Sequence, residues 1–201
     1  MTTKVRTRSR VGLVAAALVV MTAVAGCGGS EGDDHDHGHG HEPMDSGGPT
    51  SVLTTPPPPA LPDRFAAVDQ NDPESVMVAA AGALFSYTPA TDPSQAAGAE
   101  RAAPLLDERF YAENKPAFTV LAPITGSQWD RWASENAVVT ARAAVTSDDH
   151  PADAPAKVSR VVAVTQTATA PGGAVLDEST LAVYMTATRL GVWRVSALTV
   201  H

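Results

Sequence analysis

The chain of 201 residues carries 22 acidic and 14 basic side chains, which give a formal net charge of −8 at neutral pH. Proteins that bind nucleic acids neutralise phosphates with a basic surface, so this balance argues against a nucleic-acid partner. Cys27 is the single cysteine, which excludes an intrachain disulfide. The fold must therefore depend on its apolar core or on partners.

The first 26 residues have the pattern of a secretory signal. A basic segment contains Lys4, Arg6, Arg8 and Arg10 and no acidic residue, and residues 11–26 form an apolar and small-residue run. This run is shorter than the ~20 residues that a membrane-spanning helix requires. The pattern favours a signal peptide over residues 1–26 rather than a permanent transmembrane helix.

The apolar run ends in Val24-Ala25-Gly26-Cys27, which resembles the lipobox of bacterial lipoproteins. The resemblance implies that Cys27 becomes the first residue of the mature chain and carries acyl chains such as palmitate. Cys27 would then anchor the protein to the cell membrane on its extracytoplasmic side. Loss of residues 1–26 removes four basic side chains and no acid, so the formal charge falls from −8 to −12. The alternative is an ordinary cleaved signal that happens to contain a cysteine.

Residues 27–60 are predicted to form a disordered tether between the lipid and a folded domain over residues 61–201. The segment shows no apolar periodicity, and it is rich in glycine, serine, aspartate and histidine before a proline run at 56–59. Such a composition cannot bury enough apolar surface to offset chain entropy. The proline run favours an extended, stiff conformation.

Four alternate histidines in this tether, His35, His37, His39 and His41, form a candidate metal site. Neutral imidazoles bind zinc, copper or nickel, and the neighbouring carboxylates can complete a coordination shell. The spacing matches no closed structural zinc motif, and no cofactor is required by any other feature of the chain. The alternative interpretation is a hydrophilic spacer that becomes cationic when the pH falls.

The folded domain is predicted to begin with a helix that starts at Asp72-Pro73, with the aspartate as N-cap and the proline at the first helical position. The helix is expected to end before Pro89. Its apolar face follows helical spacing. The residues of this face are Val76, Met77, Ala80, Ala83, Leu84 and Tyr87.

Further short helices are predicted along the next fifty residues. Asp92-Pro93 repeats the capping pattern and predicts a second helix over residues 95–103, which Pro104 should break or restart. Residues 105–110 suggest a third short helix. Residues 128–132 form a fourth helical or turn segment.

After residue 136 the apolar period changes from helical to alternating, which predicts strands. Strands are expected over residues 137–147, 158–170, 174–188 and 192–200, with turns at 171–173 and 189–191. Helices followed by strands indicate an α+β fold, with the N-terminal helices packed on a curved, about four-stranded antiparallel sheet.

This order of elements resembles the cystatin-like cone of the nuclear transport factor 2 superfamily. The matching segments are Asp72-Pro73 at the start of an apolar helix, residues 101–106, and the closing strand around Trp193. The nearest resemblance is to actinobacterial envelope proteins and to assembly factors of conjugative transfer and type IV secretion. It implies a scaffold that binds a protein partner in the envelope or a small ligand.

Trp129 and Trp132 are the candidate walls of a pocket, and Asp130 and Glu135 lie beside them in the sequence. Isomerases of the resembled superfamily use a pocket carboxylate as a base. The alternative is that the tryptophans belong to the core and the acids to the surface, and no hydrolase, zinc-protease or phosphate-loop motif is present. A catalytic role is therefore not favoured.

Several other polar residues are assigned to the surface. Asp177, beside a turn, is expected to be solvated, and Arg142, Arg160 and Arg194 are expected to cover apolar surface with their stems. His150 has no obvious partner.

The favoured function is a membrane-anchored lipoprotein that binds a protein or small ligand in an envelope or transfer assembly. The alternative is a lipoprotein that binds a divalent metal.

Overall fold

The computed structural model describes residues 57–201, so the signal segment, Cys27 and the four alternate histidines lie outside the described residues. The predicted α+β class is confirmed: four α-helices precede a four-stranded antiparallel sheet. Short 3₁₀ turns connect several of the helices. The helices are α1 (Pro73–Leu84), α2 (Ala96–Ala102), α3 (Glu108–Asn114) and α4 (Gly126–Ser134), and the strands are β1 (Val138–Val145), β2 (Lys157–Thr169), β3 (Val175–Leu190) and β4 (Val192–Val200).

The sheet is a meander in which neighbouring strands are also neighbours in sequence. The two central strands are the longest, with 13 residues in β2 and 16 in β3. β1 pairs only with the second part of β2, because its last residue Val145 lies opposite Val162. Residues 157–161 of β2 therefore have no β1 neighbour. Register shifts at Ala168/Thr169 and Thr186/Ala187 interrupt the ladder, and such bulges bend a sheet.

The core lies between α1 and one face of the sheet, which we call the inner face. α1 begins as predicted, because the side chain of Asp72 accepts a hydrogen bond from Glu74 N at 2.9 Å. The helix buries Val76, Met77, Ala80, Ala81 and Leu84. Alternation along each strand places one face of the sheet against them. Fully buried residues at this interface include Val76, Met77, Ala80, Leu84, Val162, Val183, Met185 and Val195.

The last member of the predicted helical face, Tyr87, lies beyond the end of α1. Its backbone pairs with that of Val139 in β1, with N–O distances of 2.9 and 2.8 Å. Ser86 contributes a further link, since its hydroxyl oxygen accepts a hydrogen bond from Ala141 N at 3.0 Å. These bonds satisfy backbone groups along the outer edge of β1.

The predicted N-cap of the second helix is wrong. α2 starts at Ala96, and the carboxylate of Asp92 instead accepts hydrogen bonds from Thr88 N at 2.8 Å and from Arg101 at 2.9 Å through both oxygens. Burial alone would raise the pKa of Asp92, but the hydrogen bonds from Arg101 and Thr88 hold it below the ordinary aspartate value. A bidentate guanidinium is a stronger partner for this carboxylate than one helical N–H.

The third and fourth helices differ from expectation mainly in their start positions. α3 begins at Glu108 rather than near residue 105, with Asp107 as its N-cap. Leu105 and Leu106 precede it because both are needed in the core, where they are almost fully buried. α4 contains the predicted segment 128–132.

The strands follow the prediction closely, with one difference at the last hairpin. Arg189 and Leu190 were expected in the turn but continue β3, and only Gly191 lies at the tip, with a φ of 86°. Glycine adopts this left-handed conformation without the steric penalty of a side chain. Of the strand arginines, Arg142 is exposed, whereas Arg194 donates to Gln70 Oε1 at 2.5 Å.

Replacement of Gly98 by alanine should destabilise the domain. A Cβ atom at this position of α2 would overlap the carbonyl oxygen of Leu84 and lie 3.0 Å from Cε1 of Tyr87. Overpacking against backbone costs about 1–3 kcal/mol. We expect Gly98→Ala to lower the urea midpoint of the full chain accordingly.

Gly126→Ala is the matched control, because Gly126 is also helical and an added Cβ would meet no atom within 4 Å. Its unfolding midpoint should equal or exceed that of the unmodified chain, since alanine has the higher helix propensity. Equal midpoints for the two variants would contradict the close packing of α2 on Leu84.

Candidate functional site

The four residues of the predicted pocket lie on α4 or just after it, but they do not form one site. Trp129 and Asp130 line a cleft of about 240 Å³. Trp132 is buried in a small core cluster with Tyr87 and Val139 and does not line the cleft. Glu135 follows the last turn of α4 and is exposed. The two tryptophans are three residues apart, yet one is a cleft wall and the other belongs to the core.

The cleft beside Trp129 is fixed by a buried glutamine. Gln95, which is 5 % exposed, donates to Ala122 O at 3.0 Å and accepts from Ala122 N at 2.6 Å. This reciprocal pair attaches the start of α2 to the segment before α4. Asp130 supplies the single carboxylate among the lining residues of the cleft. The cleft therefore has no acid–base pair of the kind that the resembled isomerases use.

Asp177 is a structural link in this region that the sequence assigned to solvent, and that expectation is wrong. Its Oδ2 accepts a hydrogen bond from Trp132 Nε1 at 2.6 Å and also pairs with the guanidinium of Arg131. The carboxylate thereby ties α4 to β3. No sequence signal connected residues that lie 45 positions apart.

Tyr87 lies behind Trp129, with ring centroids 5.4 Å apart and planes tilted by 57°. Burial raises the pKa of Tyr87 far above the ordinary tyrosine value; Arg101 lowers it to a smaller extent and Asp92 raises it. The hydroxyl has no hydrogen-bond partner in the structure. Since Tyr87 does not line the cleft, its hydroxyl supplies no proton there.

A second cavity, which the sequence did not indicate, lies on the sheet face opposite α1. We call it the outer-face cavity, and its volume is about 260 Å³. Its floor carries three short side chains from three adjacent strands, because Ser159 lies opposite Thr186 and Thr186 lies opposite Ala197. The hydroxyl oxygens of Ser159 and Thr186 are 3.0 Å apart and share a hydrogen bond.

The next row of the sheet forms one wall of the outer-face cavity. Val161 lies opposite Tyr184, and Tyr184 lies opposite Thr199. Strand alternation places this row on the same face as the floor, since the intervening Met185 belongs to the core. The ring of Tyr184 is 52 % exposed and contacts the ring of His201 edge-on at 5.0 Å.

The β1–β2 loop forms the opposite wall through Asp149, His150 and Pro151. This loop approaches the part of β2 that has no β1 neighbour, and Thr146 N donates to Val161 O at 2.9 Å. His150 was expected to lack a partner. Its Nδ1 lies 2.9 Å from Pro151 O and 3.3 Å from Nη1 of Arg160, so the Nδ1–H tautomer donates to the carbonyl and the other tautomer accepts from the guanidinium.

Arg160 holds this loop against the sheet. Its Nη1 and Nη2 donate to the two carboxylate oxygens of Asp153 at 2.7 and 2.8 Å, and its Nε donates to Glu74 on α1 at 2.7 Å. The hydrogen bonds with Asp153 raise the pKa of Arg160, and the same bonds hold the pKa of Asp153 below the ordinary aspartate value. The side chain of Arg160 is only 11 % exposed, so it is more than an apolar cover.

The lining residues of the outer-face cavity are suited to binding. Ser159 shares its hydroxyl with Thr186 rather than with a base, so nothing activates it as a nucleophile. Within residues 57–201, no group of three or more histidine, cysteine or acidic side chains is arranged to hold a metal ion. Hydroxyls, one imidazole, the carboxylate of Asp149 and one aromatic face remain as the chemical groups that the cavity offers.

Comparisons with protein-family models, with curated proteins and with solved structures find no match to this chain. Among the described helices, none has the length and apolar character that crossing a membrane requires.

Loss of the Asp153 carboxylate charge should release the β1–β2 loop. We expect Asp153→Asn to accelerate amide exchange over residues 147–157 several-fold, because a neutral amide forms weaker hydrogen bonds with the guanidinium. Asp148→Asn is the control, since Asp148 lies in the same loop and bonds only Thr146. Hydrogen–deuterium exchange followed by mass spectrometry measures both variants.

Acidification should have the same effect in the unmodified chain. The pKa of Asp153 in the folded protein is lower than the ordinary value of 3.8. The carboxylate therefore stabilises the attached loop fully above pH 3.8, and this stabilisation is lost as the pH falls through the lowered pKa. Loop protection should therefore persist through the pH range where ordinary aspartates titrate and disappear below it. An unchanged exchange rate in Asp153→Asn would contradict the role assigned to Arg160.

Proposed function

We propose that this protein is a lipid-anchored, extracytoplasmic binding protein without catalytic activity of its own. The outer-face cavity supports this proposal, because Arg160 holds its loop wall in place and its lining offers several hydroxyl groups and one exposed tyrosine ring. The domain takes a small ligand there or presents the same face to a protein partner in the envelope. The α+β cone resemblance supports such a role in an envelope or transfer assembly.

The membrane attachment rests on the lipobox at Cys27. Each buried CH₂ group contributes about 0.8 kcal/mol, so two long acyl chains hold a protein stably where one chain does not. The acidic mature chain has no polybasic segment with which to bind anionic lipid, so the lipid itself must be the anchor. The composition of residues 28–60 suits a spacer between that anchor and the domain.

Cys27→Ala should abolish membrane attachment. In a bacterial host that processes lipoproteins, we expect the unmodified chain to incorporate labelled palmitate and to enter the detergent phase of a Triton X-114 extract. The variant should remain unlabelled and enter the aqueous phase. Ser30→Ala, three residues along the same segment, is the matched control and should behave like the unmodified chain. Palmitate incorporation into Cys27→Ala would contradict the assigned anchor.

A metal-binding function is the alternative, because His35, His37, His39 and His41 stand at alternate positions among carboxylates. Calorimetric titration of the full chain with Zn²⁺, Cu²⁺ and Ni²⁺ tests it. Replacing these four histidines by glutamine should remove most of the binding heat. A His150→Gln/His201→Gln double variant, in which the four tether histidines are intact, should bind as the unmodified chain does; equal binding by the quadruple variant would exclude the tether as the metal site.

A further inference from the structure

We propose that the outer-face cavity binds a single uncharged sugar ring, with Tyr184 as its stacking platform and Ser159 and Thr186 as its hydrogen-bonding floor. This inference rests on the proposed binding function and names the ligand class that the same cavity takes. Four properties of the cavity carry it: its size, its charge, its hydroxyl groups and its exposed aromatic ring.

The size limits the ligand to one ring. Pockets for drug-sized ligands have volumes of about 300–1,000 Å³, and the outer-face cavity, at about 260 Å³, falls just below that range. The floor is shallow because its three side chains, Ser159, Thr186 and Ala197, are short.

The charges of the lining residues favour an uncharged ligand. Arg160 is the only basic side chain of Lys or Arg type in the lining, and its donors are already directed to Asp153 and Glu74. An anion would therefore find no free guanidinium and would face the carboxylate of Asp149. A buried or partly buried charge without a partner is unfavourable.

The hydroxyl groups match a polyhydroxylated ligand. Ser159, Thr186, Thr199 and Tyr184 all line the cavity, and each hydroxyl can both donate and accept. The bond between Ser159 and Thr186 uses only one proton, so the pair retains a second donor and free lone pairs. Sugar hydroxyls have the same dual capacity, whereas an ammonium group can only donate and a carbonyl or carboxylate can only accept.

The ring of Tyr184 completes the match. It stands half-exposed at the cavity wall, and the edge-on ring of His201 supports it from one side. The C–H groups on one face of a sugar are weakly positive, and the face of an aromatic ring is negative, so the two surfaces attract. An exposed tyrosine that packs on a sugar also removes apolar area from water.

The test is saturation-transfer NMR on the full chain with uncharged methyl glycosides of glucose, mannose, galactose and N-acetylglucosamine. We expect at least one glycoside to bind with a Kd of about 1 mM, which corresponds to a modest affinity for a shallow site. Tyr184→Ala should weaken that binding at least about tenfold, and Thr186→Val should weaken it about threefold or more, in line with the loss of a stacked ring or one hydrogen bond.

Thr180→Val is the matched control, because Thr180 lies on the same face of β3 but outside the cavity. It should bind the glycoside as the unmodified chain does. Tyr184→Phe keeps the ring and removes the hydroxyl, so its affinity should lie between those of the unmodified chain and Tyr184→Ala. Urea unfolding of each variant shows that the exposed substitutions leave the fold intact.

Tyramine and benzoate, a cationic and an anionic aromatic probe, separate failure of the sugar proposal from failure of the binding function. If no glycoside binds but one of these probes does, and Tyr184→Ala abolishes its binding, the sugar proposal is overturned and the binding function stands. If no probe of any class binds, both the sugar proposal and the small-ligand function are overturned. Glycoside binding that Tyr184→Ala leaves unchanged also overturns the proposed site.

Discussion

The candidate site depends on the hydrogen bonds that the guanidinium of Arg160 donates. β1 ends opposite Val162, so the first five residues of β2 lack a neighbour on that side, and a loop without helix or strand takes its place. Arg160 joins this loop, through Asp153, to α1, through Glu74. Because the side chain of Arg160 is largely removed from water, loss of the Asp153 carboxylate would leave the guanidinium with Glu74 as its one acidic partner, which disfavours any arrangement in which the loop moves away.

The inner and outer faces of the sheet have different roles, and side-chain volume explains the difference. The inner face is filled by large side chains, because Met77, Leu84 and Phe85 are fully buried there. The outer face carries mainly serine, threonine and alanine beside the loop, so a cavity remains above it. The packed inner core and the open outer cavity support the proposed binding function, and the lipobox supports the proposed membrane attachment.

The sequence predicts the elements of this fold well and its sites poorly. Apolar spacing and the Asp72-Pro73 cap identify α1, and alternation together with the turn signals between strands identifies the four strands, because these signals are local in sequence. The same local capping rule fails at Asp92, where the distant Arg101 is the stronger partner. The outer-face cavity depends on the register that places Ser159, Thr186 and Ala197 side by side, and register cannot be read from single strands. In the sequence, the aspartates of the β1–β2 loop and Arg160 after them were the only signal that could have pointed to this cavity.

A loop that Arg160 holds in place would form the outer-face cavity before any ligand binds. The backbone order parameters of residues 149–153 in the ¹⁵N-labelled full chain test this claim most directly. With the loop attached to Arg160, values near ~0.8 are expected, close to those of a rigid backbone. Values below ~0.6 would describe a flexible loop and would contradict a preformed cavity.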